Sequence, residues 1–227
     1  MAKVAVLYVY WGSENHRVFM DSYKKHPAGY PHDLITLLPG AGFNVGAFLD
    51  AAKVLDHDYL CCCTAYTEFL TDDWLKKLMG HAVNPYVGAV DVMGSYESRS
   101  QQKYDTPKAW RDFPKFPNPH LRVVCLTIKR ELLIDLNFPT MMTKLDTLRF
   151  ESGVDGLPAK LRQARLKQIV VGADRHGYGE ESWPHTETFR LGDQSNLIAH
   201  DKHSKIFAAS TPEQKKWLTE AAYGVRS

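Results

Sequence analysis

The first 93 residues alternate short apolar runs with helical patterns, and this alternation constrains the fold more than any other feature of the chain. Lys3 to Tyr10, Asp33 to Leu38, Tyr59 to Cys63 and Val87 to Met93 read as strands. Asn15 to Lys25, between the first two, carries Val18, Phe19 and Tyr23 on one side. Val45, Phe48, Leu49, Ala52 and Leu55 then recur at amphipathic-helix spacing, and Trp74 to Ala82 gathers Leu75, Leu78, Met79 and Ala82 on one face. Pro27 and Gly29 end the first helix, Pro39-Gly40 stop the second strand, and Thr71 or Asp72 is the expected cap of the third helix. Strand–helix–strand units with short connections predict an α/β fold: a mostly parallel central sheet, right-handed crossovers and helices on both faces. Ligands of such sheets bind at the carboxyl ends of the strands. Here those ends are Tyr10-Trp11-Gly12, Pro39-Gly40, Thr64-Ala65-Tyr66 and Gly94-Ser95-Tyr96.

The regular pattern stops after Tyr96. Residues 97–119 contain Pro107, Pro114, Pro117 and Pro119 among Arg99, Lys103, Tyr104, Lys108, Trp110, Arg111, Phe113, Lys115 and Phe116. A long aromatic and basic excursion of this kind is either a docking loop or an ordered surface excursion. Leu121 to Ile128 reads as a further strand, Arg130 to Leu136 as a short helix, Leu157 to Ala164 as a helix and Gln168 to Val171 as a strand. Residues 173–205 read as loop, and Thr211-Pro212-Glu213 opens a last helix with Thr as cap and Pro at its first position. The expectation is a single domain, 1–227, with a first half over 1–96 and a second over 97–227.

Composition excludes several classes. With 44% hydrophobic and 24% charged residues the chain has ordinary globular usage, not that of a disordered or fibrous protein. A net charge of +2 argues against nucleic acid as the main partner. Cys61, Cys62 and Cys63 are consecutive, which suits reduced thiols on alternating strand faces better than a disulfide framework. Val4 to Tyr10 is apolar but reads as a strand rather than a signal segment, and no apolar run is long enough to cross a membrane. A cytoplasmic protein is the expectation.

Neither GxGxxG, GxxxxGK nor GxSxG occurs, which disfavours dinucleotide, P-loop and α/β-hydrolase sites. Ser13 reads as a helix cap. The acidic residues are more informative. Asp146, Glu151 and Asp155 lie within ten residues, and Glu151 and Asp155 are four apart, the spacing of one helical face, although Gly153 between them favours a turn. Such a pair supplies a general base or simply complements a helix N-terminus. Asp193, His200, Asp201 and His203 form a polar cluster that reads either as metal ligands of a hydrolase or as solvated loop residues.

Taken in order, these segments resemble a GT-A glycosyltransferase of the family 2 type, closest to small stand-alone bacterial and viral GT-A-like proteins. The resemblance is carried by Val4 to Tyr10, by Leu55-Asp56-His57-Asp58-Tyr59-Leu60 leading into the third strand, and by Thr71-Asp72-Asp73-Trp74-Leu75. Asn84-Pro85-Tyr86-Val87-Gly88-Ala89-Val90, Phe150 to Leu157, Arg165 to Val171, Ser22 to Gly29 and Phe189 to Leu197 complete it. It implies transfer of a sugar, with inversion, from a nucleotide-diphosphate sugar to a glycan, a lipid-linked acceptor or another hydroxyl. It makes 1–96 the nucleotide-sugar half and 97–227 the acceptor and catalytic half. Asp155 is the first choice of base and Glu151 the second. Tyr8, Tyr10, Trp11, Gly40, Thr64, Ala65 and Tyr66 are the expected donor-binding residues, although strand aromatics such as Tyr8 also serve as core. Trp110, Trp183 and Gln194 are expected to face the acceptor. Where the family carries Asp-x-Asp for Mn²⁺ or Mg²⁺, this chain has Thr64-Ala65-Tyr66, which are poor ligands for hard cations. Glu68 is the candidate substitute, and lysine, arginine or helix N-termini are the alternatives. A nucleotide-sugar-binding protein without catalysis is the other reading of the missing carboxylates.

Overall fold

A computed structural model describes residues 1–98 and 111–224. Trp110 and the basic and aromatic positions 99–108 of the Pro-rich segment lie outside the described residues.

The first half folds as the alternation predicts, in the order β1 (Val4–Val9), α1 (Ser13–Lys25), β2 (Asp33–Leu37), α2 (Phe43–Val54) and β3 (Tyr59–Cys63). A two-residue strand β4 (Glu68–Phe69), helix α3 (Trp74–Ala82), β5 (Val87–Asp91) and the short β6 (Gly94–Ser95) follow. The second half adds β7 (His120–Leu121), β8 (Cys125–Lys129), α4 (Arg130–Asp135), α5 (Lys144–Ser152), α6 (Leu157–Gln163), β9 (Lys167–Val171) and β10 (Gly177–Tyr178). A 3-10 turn over Glu180–His185, then β11 (Ala199–His200), α7 (Lys202–Ala208) and α8 (Pro212–Tyr223), complete the described chain.

One seven-stranded sheet, ordered β10-β9-β5-β8-β3-β1-β2, takes strands from both halves. Five of its strands run the same way; β8, wedged between β3 and β5, and the edge strand β10 run opposite. The architecture is therefore α/β, with a mostly parallel sheet flanked by helices. The reversed β8 matters for the site. Its amino end, at Val123 and Val124, meets the carboxyl end of β3, where the Thr67 hydroxyl and the Thr64 amide both donate to the Val124 carbonyl.

Every side chain of β1 is buried, as a strand covered on both faces requires. Tyr8 is part of that core. Its ring stacks on Phe19 at 3.8 Å, and Phe69 stacks on Trp74 at 3.9 Å, which ties α1, β4 and α3 into one aromatic cluster. Offset aromatic contacts of this kind each add about 0.5–1.5 kcal/mol beyond burial. Cys61, Cys62, Cys63 and Cys125 are all buried free thiols.

The structure corrects four expectations. Neither Thr71 nor Asp72 caps α3: Asp72 pairs with His26 at 2.9 Å, Thr71 accepts a hydrogen bond from Lys77, and the cap residue is Asp73 in a left-handed conformation. Ser13 is the first residue of α1 rather than its cap, which is Gly12. Residues 173–205 are not all loop, since α7 begins at Lys202. The expected strand from Leu121 to Ile128 is split, with Leu121 in β7 and Cys125–Lys129 forming β8. As Gly153 suggests, Glu151 sits in the last turn of α5 and Asp155 lies in the turn beyond, so the two do not share a helix. Capping explains the two missed helices. Thr143 and Asp201 each close a capping box, with Asp146 and Ser204 as partners. That device is local and short-range, and weak apolar periodicity had hidden it.

Candidate functional site

A cleft of about 390 Å³ opens at the carboxyl edge of β1 and β3, within the usual size of small-molecule sites. Its walls come from six places in the sequence: Trp11 after β1, the start of α2, Thr64-Ala65-Tyr66 after β3, Arg122 and Val123 before β8, α5, and the start of α7. Trp11 lies roughly parallel to the Phe43 ring, with centroids 6.1 Å apart. Lys144 places its ammonium 5.7 Å from the Phe43 ring centre, and Lys202 places its own 5.9 Å from that of Tyr66. No side chain caps α2, whose first residues Phe43, Asn44 and Val45 line the cleft. Val123, on the cleft wall, holds φ at +53°, a strained conformation for a β-branched residue.

Two carboxylates line this cleft, Asp201, which caps α7, and Glu151. Glu151 lies on α5. Burial raises its pKa, opposed by the nearby charges of Arg122 and Lys144. Its Oε1 lies 3.7 Å from Arg122 and 4.0 Å from Nε2 of His120. His120 is fully buried and pushed down to about 4, so it is neutral near pH 7. Its Nδ1 lies 2.8 Å from the Asn118 carbonyl, which can only accept; the proton therefore sits on Nδ1, and Nε2, 4.0 Å from Glu151, carries none to donate to the carboxylate.

Behind Arg122 lies a buried charge network. Glu97 bridges Arg190 and Arg122, at 3.2 Å from the latter, and both guanidinium centres lie 4.8 Å from the Phe189 ring centre. Among the described residues, neither arginine Nε finds a hydrogen-bond partner. No sequence pattern signals this network, because Glu97, Arg122 and Arg190 are far apart along the chain and share no motif.

Of the residues expected to bind a donor, Trp11, Thr64, Ala65 and Tyr66 line this cleft together. Tyr8 is fully buried in the core, Tyr10 packs on His16, and Gly40 lines a separate groove beside β2 and α2. Asp155 is exposed and lines a third cavity, with Asp112 and Arg149, that shares no residue with the cleft. Trp183 is fully buried and donates its indole N–H to the Tyr178 carbonyl. Gln194 is also buried: its side chain accepts from the Arg190 amide and donates to the Ser204 carbonyl at the start of α7.

The donor set does not fit a divalent cation. Glu68 pairs with Lys205 at 2.6 Å and is not on the cleft wall. Asp201 reaches the cleft but uses Oδ1 to cap α7, accepting from Ser204 N at 2.7 Å. Asp193 accepts from the Ser195 amide, and His200 bonds Ser204, so the polar cluster of residues 193–203 does not converge. Among the described residues, no three His, Cys, Asp or Glu side chains are placed to hold a metal ion.

Asp91, at the carboxyl end of β5, is fully buried and accepts from the amides of Val92, Val124 and Cys125 at 2.7–2.9 Å. Burial outweighs these bonds and pushes its carboxyl up to about 7. A raised folded-state pKa stabilises the fold fully below the unfolded value, and this contribution is lost as pH rises through the folded value. The cost of Asp91→Asn, measured by urea unfolding, is therefore expected to be about 2–3 kcal/mol larger at pH 5 than at pH 8. A cost independent of pH would show that Asp91 ionises normally. His120 acts with the opposite sign, since its lowered pKa stabilises the fold above the unfolded value and is lost toward pH 4.

No protein-family model matches the chain, and no curated protein is significantly similar to it. Among the described residues, no helix is long and apolar enough to cross a membrane.

Proposed function

We propose that the chain is a GT-A-like glycosyltransferase and that the cleft at the β1–β3 edge binds a nucleotide-diphosphate sugar. The observation that carries this reading is the convergence of three chemistries in one cleft: an aromatic pair, Trp11 and Phe43; cationic groups, Lys144, Lys202 and Arg122; and the partly buried carboxylate of Glu151. An aromatic platform suits a nucleobase, cations and bare helix amides suit a diphosphate, and a carboxylate of raised pKa suits proton abstraction. The position of the cleft, at the carboxyl ends of parallel strands, supports the same reading.

The reaction would be a direct displacement. The acceptor hydroxyl oxygen forms a bond to the anomeric carbon as the bond from that carbon to the diphosphate oxygen breaks. The hydroxyl proton passes to Glu151, and the departing diphosphate keeps the bonding electron pair. Glu151, not Asp155, takes the base role because it alone of the two lies on the cleft wall. Arg122, 3.7 Å away, holds it in place, and burial opposed by the charges of Arg122 and Lys144 sets its proton affinity.

Thermal-shift titration with UDP, GDP, dTDP and CDP sugars tests the reading. One of these sugars is expected to raise the melting temperature, and Trp11→Ala is expected to weaken its binding by about 5- to 100-fold, on the scale of aromatic–base stacking. Stabilisation by none of them would remove the reading. Donor binding without transfer to any hydroxyl acceptor would favour a nucleotide-sugar-binding protein instead.

A further inference from the structure

We infer that two lysines, Lys144 and Lys202, neutralise the diphosphate in this cleft in place of a divalent cation. The inference rests on the proposed sugar-donor reading and concerns the charge chemistry of the same site.

Tyr66 stands on the cleft wall three residues beyond β3. Tyr66 offers no ligand for a hard cation, and its ring carries the Lys202 ammonium over its face at 5.9 Å. On the facing wall, Lys144 lies over Phe43 at 5.7 Å. Both lysines line the same cleft. Cation–π contact of this kind, within about 6 Å, restrains a flexible lysine whose charge would otherwise wander. Tyr66 and Phe43 are thus platforms that aim two ammonium groups into one space.

The carboxylates in and beside the cleft make other contacts. Glu151 faces Arg122, Asp201 caps α7 and Glu68 is paired with Lys205. A third contribution comes from the backbone. The twelve-residue helix α2 starts on the cleft wall without a side-chain cap, and its first-turn amides at Asn44 and Val45 supply donors for anionic oxygen. Fixed cations and amides can stabilise a leaving diphosphate electrostatically without a metal ion. Positive charge of +2 from the lysines, with Arg122 behind them, matches what a divalent ion would bring.

The test measures binding by isothermal titration calorimetry, with inorganic pyrophosphate and with UDP, GDP, dTDP and CDP as probes, in EDTA and again with Mn²⁺. Wild-type protein is expected to bind pyrophosphate and one of the nucleotides in EDTA. The exposed pair Lys144→Gln and Lys202→Gln, combined, is expected to lose about 10- to 100-fold in affinity for both probes, as loss of charge-assisted bonds predicts. Circular dichroism and the melting temperature report whether the variant is folded, and Lys144→Arg with Lys202→Arg should restore most of the binding. Binding that appears only with Mn²⁺, or an unchanged affinity in the folded Gln variant, would overturn the inference and leave the sugar-donor reading standing. Pyrophosphate bound through the lysines with no nucleotide bound would uphold the lysine site and remove the sugar-donor reading. Binding of neither probe under either condition would remove both.

Discussion

Replacing Glu151 with Gln is expected to lower turnover by about 100- to 10,000-fold, the usual cost of losing a general base. The amide preserves the shape of the side chain and a hydrogen-bond acceptor toward Arg122, but it cannot take the acceptor's proton. Donor affinity should change by only a few-fold, because the base acts on the acceptor hydroxyl rather than on the diphosphate. The pH profile should change too. Wild-type activity should rise with pH through a value above the ordinary carboxylate range, since burial holds the Glu151 pKa up. Asp155→Asn is the control. It is exposed and lines a different cavity, so turnover is expected to stay within about threefold of wild type. Steady-state kinetics of both variants with a fixed donor check the prediction. Collapse in the Asp155 variant with near-normal turnover in the Glu151 variant would reverse the assignment, and normal turnover in both would exclude the acidic pair from the mechanism.

Glu97→Ala is expected to destabilise the protein by about 3–5 kcal/mol, which corresponds to a melting temperature lower by roughly 6–20 °C. The Glu97 side chain is 6% exposed and pairs with Arg190 and Arg122, themselves 10% and 13% exposed. Removing its carboxylate leaves both guanidinium groups, each 4.8 Å from the Phe189 ring centre, without their shared counter-charge. The penalty is thus mainly that of uncompensated buried charge, not the value of the ion pairs themselves. The combined change Glu97→Leu with Arg190→Met removes one charge of each sign and should recover a substantial part of the loss. Urea unfolding of the single and double variants checks this. A single-variant cost under about 1 kcal/mol would show that water reaches the network. Because Arg122 touches Glu151, the Glu97 variants should also shift the pH profile of turnover.

The strands and helices of the first half were legible because their apolar spacing is local. A strand covered on both faces, such as Val4–Val9, is a continuous apolar run, and an amphipathic helix such as α2 repeats at 3.6 residues. The carboxyl ends of β1 and β3 were legible for the same reason: once the strands run parallel, Trp11 and Thr64-Ala65-Tyr66 must come to one edge. The helices α5 and α7 were not, because side-chain capping rather than periodicity defines their starts.

The sequence by itself thus determined the α/β class, the common sheet edge that carries Trp11 and Thr64-Ala65-Tyr66, and the absence of carboxylates at positions 64 and 66 just past β3. The tertiary structure alone decided which carboxylate faces the cleft. Glu151 and Asp155 are equivalent in spacing and charge, and only the break at Gly153 turns one toward Arg122 and the other toward solvent. It also decided that Tyr8, Trp183 and Gln194 are interior residues, since whether a polar or aromatic side chain meets ligand or core depends on what packs against it. The Glu97–Arg122–Arg190 network and the two lysines over Tyr66 and Phe43 join residues far apart in the chain. No local pattern encodes such pairs, because their energy exists only after the fold has excluded water and brought the charges together.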